Sequence, residues 1–98
     1  MKIETVKDGR IMTVTLEGRL DTTTAPSLEA ELRREINGVE ELTLDFNGLE
    51  YLSSAGLRVL LAAQKVMNRQ GSMVIRGVNE TIQDIFDVTG FSDILTIE

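Results

Sequence analysis

The stretch from Leu57 to Met67 is the strongest constraint on the fold. It is apolar at Leu57, Val59, Leu60, Leu61, Ala62, Ala63, Val66 and Met67, and neither Gly nor Pro interrupts it. A helix that is apolar around most of its circumference must be covered on most sides in water. Arg58, Lys65 and Arg69 form a polar stripe along one side, and Gly71 stops the helix. The chain has 98 residues, enough for one domain and too few for two. Every apolar element must therefore serve a single core around this helix.

The flanking segments alternate between strand and helix periods. Lys2 to Lys7 alternates in character, and Asp8-Gly9 signals a hairpin turn. Ile11 to Leu16 follows with Met12, Val14 and Leu16 on one face and Thr13 and Thr15 on the other. Gly18 marks the expected exit from the sheet. Leu20 to Thr24 is rich in capping side chains, Pro26 suits a first helical turn, and Leu28, Leu32 and Ile36 recur at helical spacing until Asn37-Gly38. Leu42 to Phe46 reads as a strand with Asn47-Gly48 as its exit turn, and Ser72 to Arg76 as another. Asn79 opens a third helix with Ile82, Ile85 and Phe86 inward; Gly90 ends it, and Ile94 to Ile97 offers a last strand. The order β-β-α-β-α-β-α-β predicts one α/β domain over residues 1–98. Its sheet is mixed and mostly parallel, with an N-terminal antiparallel hairpin and about three helices.

Composition removes most chemistry. The chain has no cysteine and no histidine, so thiolate nucleophiles, imidazole bases and the usual zinc ligands are absent. There is no Ser-x-x-Lys, Gly-x-Ser-x-Gly or Gly-x-Gly-x-x-Gly pattern, and Gly71 to Gly77 lacks the spacing and the lysine of a phosphate-binding loop. Asp21 and Asp45 are the candidates for a paired-carboxylate site, but each has an ordinary capping or strand-end setting. A binding module without metal or cofactor is expected, and not an enzyme. A formal charge of −6, from sixteen acidic and ten basic residues, argues against nucleic acid as a partner. No apolar run is long enough to span a bilayer, and no apolar segment follows Lys2 as in a signal peptide. A cytoplasmic address follows as the expectation.

One position stands out from this background. Ser53 and Ser54 lie where the long helix begins, and a serine there caps a helix by accepting a bond from a first-turn amide. Capping alone explains one hydroxyl, yet two are adjacent. Ala55 and Gly56 are small and leave room for close approach by another protein. The positive end of a long helix is also a ready site for a phosphate. Arg58, one turn on from Ser54, is placed to meet a phosphate or a partner's acidic group.

At these residues the sequence resembles the STAS domains, in particular the stand-alone bacterial anti-sigma factor antagonists. The resemblance rests on Asp45-Phe46, Leu49 and Tyr51-Leu52-Ser53-Ser54-Ala55-Gly56-Leu57 ahead of the long apolar helix. It extends back to Gly18-Arg19-Leu20-Asp21 and forward to Ile85-Phe86-Asp87-Val88-Thr89-Gly90-Phe91, nearly the whole chain. It implies partner switching. An unphosphorylated antagonist binds an anti-sigma factor that is also a serine kinase, the kinase phosphorylates the antagonist, and the pair separates. A metal-dependent serine phosphatase resets the cycle. The family's acceptor stands two residues before the glycine, which is Ser54. The residue before the acceptor is often an aspartate; here it is Ser53, a smaller local charge and a second hydroxyl. The resemblance further implies a partner surface that includes Asp21 and Thr22 with Ser53, Ser54, Ala55, Gly56 and Arg58. For Asp21 the alternative is a cap on the first helix, in competition with Thr22 to Thr24.

Two other readings compete. A receiver-like domain would accept phosphate on Asp45, but it needs a further acidic pair after the first strand and a lysine near the last, and both are missing. A scaffold subunit with the same fold would bind without being phosphorylated and regulate a non-transcriptional process.

Overall fold

A computed structural model describes all 98 residues. β1 (Lys2–Asp8) and β2 (Ile11–Leu20) form the antiparallel hairpin, closed by the pair Asp8 and Ile11 with Gly9-Arg10 at its tip. Gly9 takes φ 62°, the left-handed region where glycine is free of strain. α1 (Ala25–Glu35), β3 (Glu41–Leu52), α2 (Ser54–Gln70), β4 (Ser72–Arg76) and α3 (Glu80–Thr89) follow, then a short 3₁₀ turn over Phe91–Asp93. The sheet order is β1-β2-β3-β4, with β2, β3 and β4 parallel. The architecture is the mixed α/β sheet with three helices expected above.

Side-chain alternation places the layers. Met12, Val14 and Leu16 of β2, Leu42, Leu44 and Phe46 of β3, and Met73 and Ile75 of β4 are buried in one core with Leu28, Leu60, Met67, Ile82 and Phe86 from the helices. β1 presents Ile3, Thr5 and Lys7 to that side, opposite Leu16, Val14 and Met12. There the Thr5 hydroxyl donates to Glu31 at 2.7 Å and Lys7 donates to the Glu35 carbonyl at 2.9 Å, so α1 lies over this face. On the other face Thr13, Thr15, Thr43, Asp45 and Val74 are only half-buried. The helices form one layer and the opposite face of the sheet meets solvent, which is why strands of a parallel sheet show the alternation of an antiparallel one.

Two expected strand ends turn out to be one feature. β2 runs past Gly18 to Leu20, and β3 runs past Asn47-Gly48 to Leu52. Glu17 pairs with Gly48 and Gly18 with Leu49, and the register slips by one residue between Thr15 and Glu17 and again between Gly18 and Arg19. Both extra residues fall in β3, between Asp45 and Gly48 and at Glu50, so the two glycines sit beside β-bulges of that strand, where the backbone bends and the ladder resumes. A Cβ on Gly48 would lie 2.7 Å from Glu17 Cγ, so the strands meet here at glycine distance. The expected last strand is also shorter. Ile75 N–H donates to the Thr96 carbonyl and Glu98 N–H to the Ile75 carbonyl, both at 2.9 Å, a single parallel bridge between Ile75 and Ile97.

The third helix starts as read, with the Asn79 side chain accepting from Ile82 N–H at 2.8 Å, and ends at Gly90 with φ 81°. α2 is the longest helix and ends at Gly71, where the chain turns against the loop before β3. The Gln70 amide donates to the Ile36 and Val39 carbonyls at 2.8 and 2.7 Å, and Ser72 N–H to the Glu40 carbonyl at 2.9 Å. Gly71 is extended, and its requirement is space: a Cβ would lie 1.9 Å from the Glu40 carbonyl oxygen. Backbone must move to admit it. Gly71→Ala is expected to destabilise the fold by about 3 kcal/mol, at the upper end of overpacking costs, read as a lower midpoint in urea unfolding.

Candidate functional site

The ends of β2 and β3 lie side by side, with Leu20 paired to Leu52, and both chains leave the sheet there. Ser53 is extended at φ −103° and ψ −178°, and its N–H donates to the Leu20 carbonyl at 2.9 Å. That bond ties the start of α2 to the end of β2. Ser53 occupies the cap position, but its hydroxyl makes no capping bond; Ser53 Oγ is buried without a partner. The expected serine cap is not formed. Ser54 is the first helical residue and is exposed. Adjacent serines thus face opposite environments.

The small residues after them serve different ends. Gly56 is buried, and a Cβ there would lie 2.8 Å from Leu20 Cγ and 3.3 Å from the Leu20 carbonyl oxygen. It lets the first turn of α2 rest on Leu20, so its smallness is used within the chain rather than against a partner. Ala55 is half-buried and lines a shallow cleft with Thr22, Ala25, Pro26, Glu29, Arg58 and Val59, between the starts of α1 and α2. Thr22, Ala55 and Arg58 are therefore brought together. The first turn of α2 carries no acidic residue, and no side chain caps its leading amides at the positive end of the dipole.

Asp21 builds the turn that starts α1. Its Oδ1 accepts from the Thr23 hydroxyl at 2.7 Å, from Thr23 N–H at 3.0 Å and from Thr24 N–H at 3.2 Å. Its own N–H donates to Thr24 Oγ1 at 2.8 Å, and that hydroxyl donates to the Arg19 carbonyl at 2.8 Å. Asp21 thus orders the turn that leads into α1 but does not cap the helix itself, whose cap position is Thr24 and carries no side-chain capping bond. The Thr23 hydroxyl, with the Thr24 and Thr23 amides behind it, holds the Asp21 carboxyl below its ordinary range, while partial burial opposes the shift. Asp45 lies inside β3, opposite Thr15 and Arg76, and not at a strand end; its Oδ1 accepts from Asn47 N–H at 2.9 Å and from the Asn47 amide at 2.8 Å. Thr15 is five residues before Leu20, about 17 Å along a strand, so Asp21 and Asp45 do not form a carboxylate pair.

One neighbour was not anticipated from sequence. The Arg19 guanidinium lies 4.6 Å from the centre of the Tyr51 ring, across the pair Arg19 and Tyr51. Only the bulged register makes them opposite, so an unbroken strand pairing could not have revealed it. For Asp21 the folded carboxylate has the lowered pKa, so its stabilisation is full above the carboxylate range and is lost as pH falls through it. Asp21→Ala is expected to lower the thermal midpoint at neutral pH, with the gap from wild type closing below about pH 4 in thermal melts across pH.

Comparison with known proteins places this geometry in a family. The STAS domain profile matches residues 2–98. BtrV of Bordetella bronchiseptica, named as an anti-sigma factor antagonist, is 33% identical over 99 residues, covering 99% of this chain and 85% of BtrV. The anti-sigma-B factor antagonist of Staphylococcus epidermidis is 31% identical over 101 residues, covering 99% of this chain and 92% of the relative. SpoIIAA, a Bacillus cell fate determinant, shares the fold at 16% identity. Its unphosphorylated form aligns with TM-score 0.78 over 99% of this chain and 87% of SpoIIAA, and its phosphorylated form with 0.77 over 99% and 91%. With the profile spanning nearly its full length and relatives above 30% identity, the chain belongs to the STAS domain family.

Proposed function

We propose that this chain is an anti-sigma factor antagonist that works by partner switching. Unphosphorylated, it binds an anti-sigma factor that is also a serine kinase. Phosphorylation of Ser54 ends the binding, and a metal-dependent serine phosphatase restores it. The observation that carries the reading is the contrast between the two serines: Ser54 is exposed at the first position of α2, whereas Ser53 Oγ is buried. A kinase can reach the first without disturbing α2, and the second only by unseating it. The names of BtrV and of the staphylococcal relative support the antagonist role, and SpoIIAA, solved in both phosphorylation states, supports the modification.

The physics of the site favours a local switch. A phosphate on Ser54 meets the uncapped positive end of a seventeen-residue helix, with no carboxylate in the first turn to repel it. The free chain therefore tolerates it without refolding. A docked partner does not, because the group adds ~1.5–2 negative charges to a surface that must lose water. An uncompensated charge in an interface costs several kcal/mol, and each ~1.4 kcal/mol is tenfold in affinity. Thr22, Ala55 and Arg58, grouped in the adjoining cleft, are the remaining elements of the proposed docking surface.

Incubation with ATP and an anti-sigma factor serine kinase of the same organism, followed by mass-spectrometric mapping, tests the assignment. Phosphate is expected on Ser54 in the wild type and in Ser53→Ala, and nowhere in Ser54→Ala. In titrations Ser54→Ala should bind the kinase as the wild type does, and Ser54→Asp about a hundredfold more weakly. Wild-type affinity in Ser54→Asp, or phosphate on Ser53 or Asp45, would sink the assignment. Tight binding with no phosphate transfer would favour a scaffold role.

A further inference from the structure

The ten basic side chains divide into two groups. Lys2 pairs with Glu4 at 3.1 Å, Arg10 with Glu40, Arg33 with Glu29 at 3.6 Å, Arg34 with Glu31 and Arg76 with Glu98 at 3.2 Å. Lys7 donates to the Glu35 carbonyl, and Arg19 rests on Tyr51. Only Arg58, Lys65 and Arg69 remain. All three are exposed, all lie on α2, and none makes an ion pair, although the chain carries sixteen acidic residues. α2 itself contains no Asp or Glu. Ser54, Arg58, Ala62, Lys65 and Arg69 succeed one another at helical-turn spacing, so the free cations form one line that begins at the proposed phosphosite.

Beside that line runs a groove between α1 and α2, floored by Leu32, Ile36, Val59 and Val66. Its α1 rim is self-neutralised by Glu29 and Arg33, which pair with each other, whereas on the α2 side Ala62 edges the groove and belongs to the same turn-spaced line as the unpaired Arg58, Lys65 and Arg69. We infer that this face docks an acidic amphipathic helix of the anti-sigma factor kinase, apolar side chains entering the groove and carboxylates meeting Arg58, Lys65 and Arg69. The inference rests on the partner-switching reading and adds to it the chemistry of the partner. Charge complementarity identifies the occupant: on a chain of net charge −6, a rim of unmatched cations beside an apolar groove selects a ligand that is apolar on one face and acidic on its flank. Phosphorylation then acts twice in the same direction. The phosphate of Ser54 stands one turn from Arg58 and withdraws that cation, and it also repels the arriving carboxylates.

Lys65→Glu/Arg69→Glu tests this away from the phosphosite, about 16 Å along the helix from Ser54 at Lys65. Both residues are exposed, so the thermal midpoint should stay near that of the wild type, and Lys65→Gln/Arg69→Gln serves as a milder variant. Titration with the kinase at low and high salt should show affinity reduced by about tenfold in the double reversal and less in the neutral pair, with a shallower salt dependence in both. Reversal variants that bind within about twofold of the wild type, while the wild type binds tightly, overturn the docking inference alone. A wild type that binds no such kinase overturns the partner-switching reading and the inference with it. α3 carries Glu80, Asp84 and Asp87 beside the exposed Val88, so a second copy is the rival occupant. Self-association of the wild type in sedimentation velocity, lost in Lys65→Glu/Arg69→Glu, would assign the face to that copy and overturn the proposal.

Discussion

Burial on one side of the sheet organises the molecule. The order β1-β2-β3-β4 sets the two parallel crossovers next to each other on a single face, and α1, α2 and α3 fill one core there. A parallel sheet with one bare side needs polar or small residues on that side, and Thr13, Thr15, Thr43 and Asp45 supply them. The same geometry dictates which part of α2 is available for anything else. Leu57, Leu60 and Met67 are buried in the core, Val59, Ala63 and Val66 line the groove beside α1, and the exposed remainder is the turn-spaced line headed by Ser54 together with Asn68. The proposed docking surface is what remains after the core has taken its share of the helix.

Periodicity made most of the fold legible. The inward set Met12, Val14, Leu16 and the helix faces built on Leu28, Leu32, Ile82 and Phe86 were readable because burial alone decides them. Glycine was harder to interpret. Gly18 and Gly48 look like strand exits in a single chain, because a bulge is defined by the neighbouring strand and the neighbour is not visible in a linear sequence. The C-terminal strand is shorter than its sequence pattern suggests for a similar reason. Its apolar content was real, with Leu95 buried and Ile97 half-buried, but only Ile75 had backbone groups pointing at it.

At the candidate site, residue types were legible and orientations were not. A serine pair before a long helix suggests capping, yet the backbone bond from Ser53 to Leu20 turns the Ser53 hydroxyl inward and leaves the helix without a side-chain cap. Gly56 reads as an opening for a partner and proves to be the seat of α2 on Leu20. Asp21 combined two plausible roles, and its donors from Thr23 and Thr24 place its carboxylate in the turn. The unmatched cations of α2 were visible as a stripe from the start. That they lack partners is a property of the fold, which gives every other lysine and arginine a neighbour of its own.

The bridge at Ile75 also bears on how the chain behaves at high concentration. An open sheet has two margins, each a row of amides and carbonyls on which another molecule can template itself. Here one margin is β4, where the segment from Thr96 to Glu98 occupies the bonding groups of Ile75 and the Arg76–Glu98 pair fastens it. The other is β1, seven residues long and studded with Lys2, Glu4, Lys7 and Asp8, a charge pattern that resists strand-on-strand growth. One border of the sheet is thus bridged at its middle by the chain's own C-terminal segment and the other is electrically guarded, so neither offers strand-on-strand growth a long, uninterrupted edge.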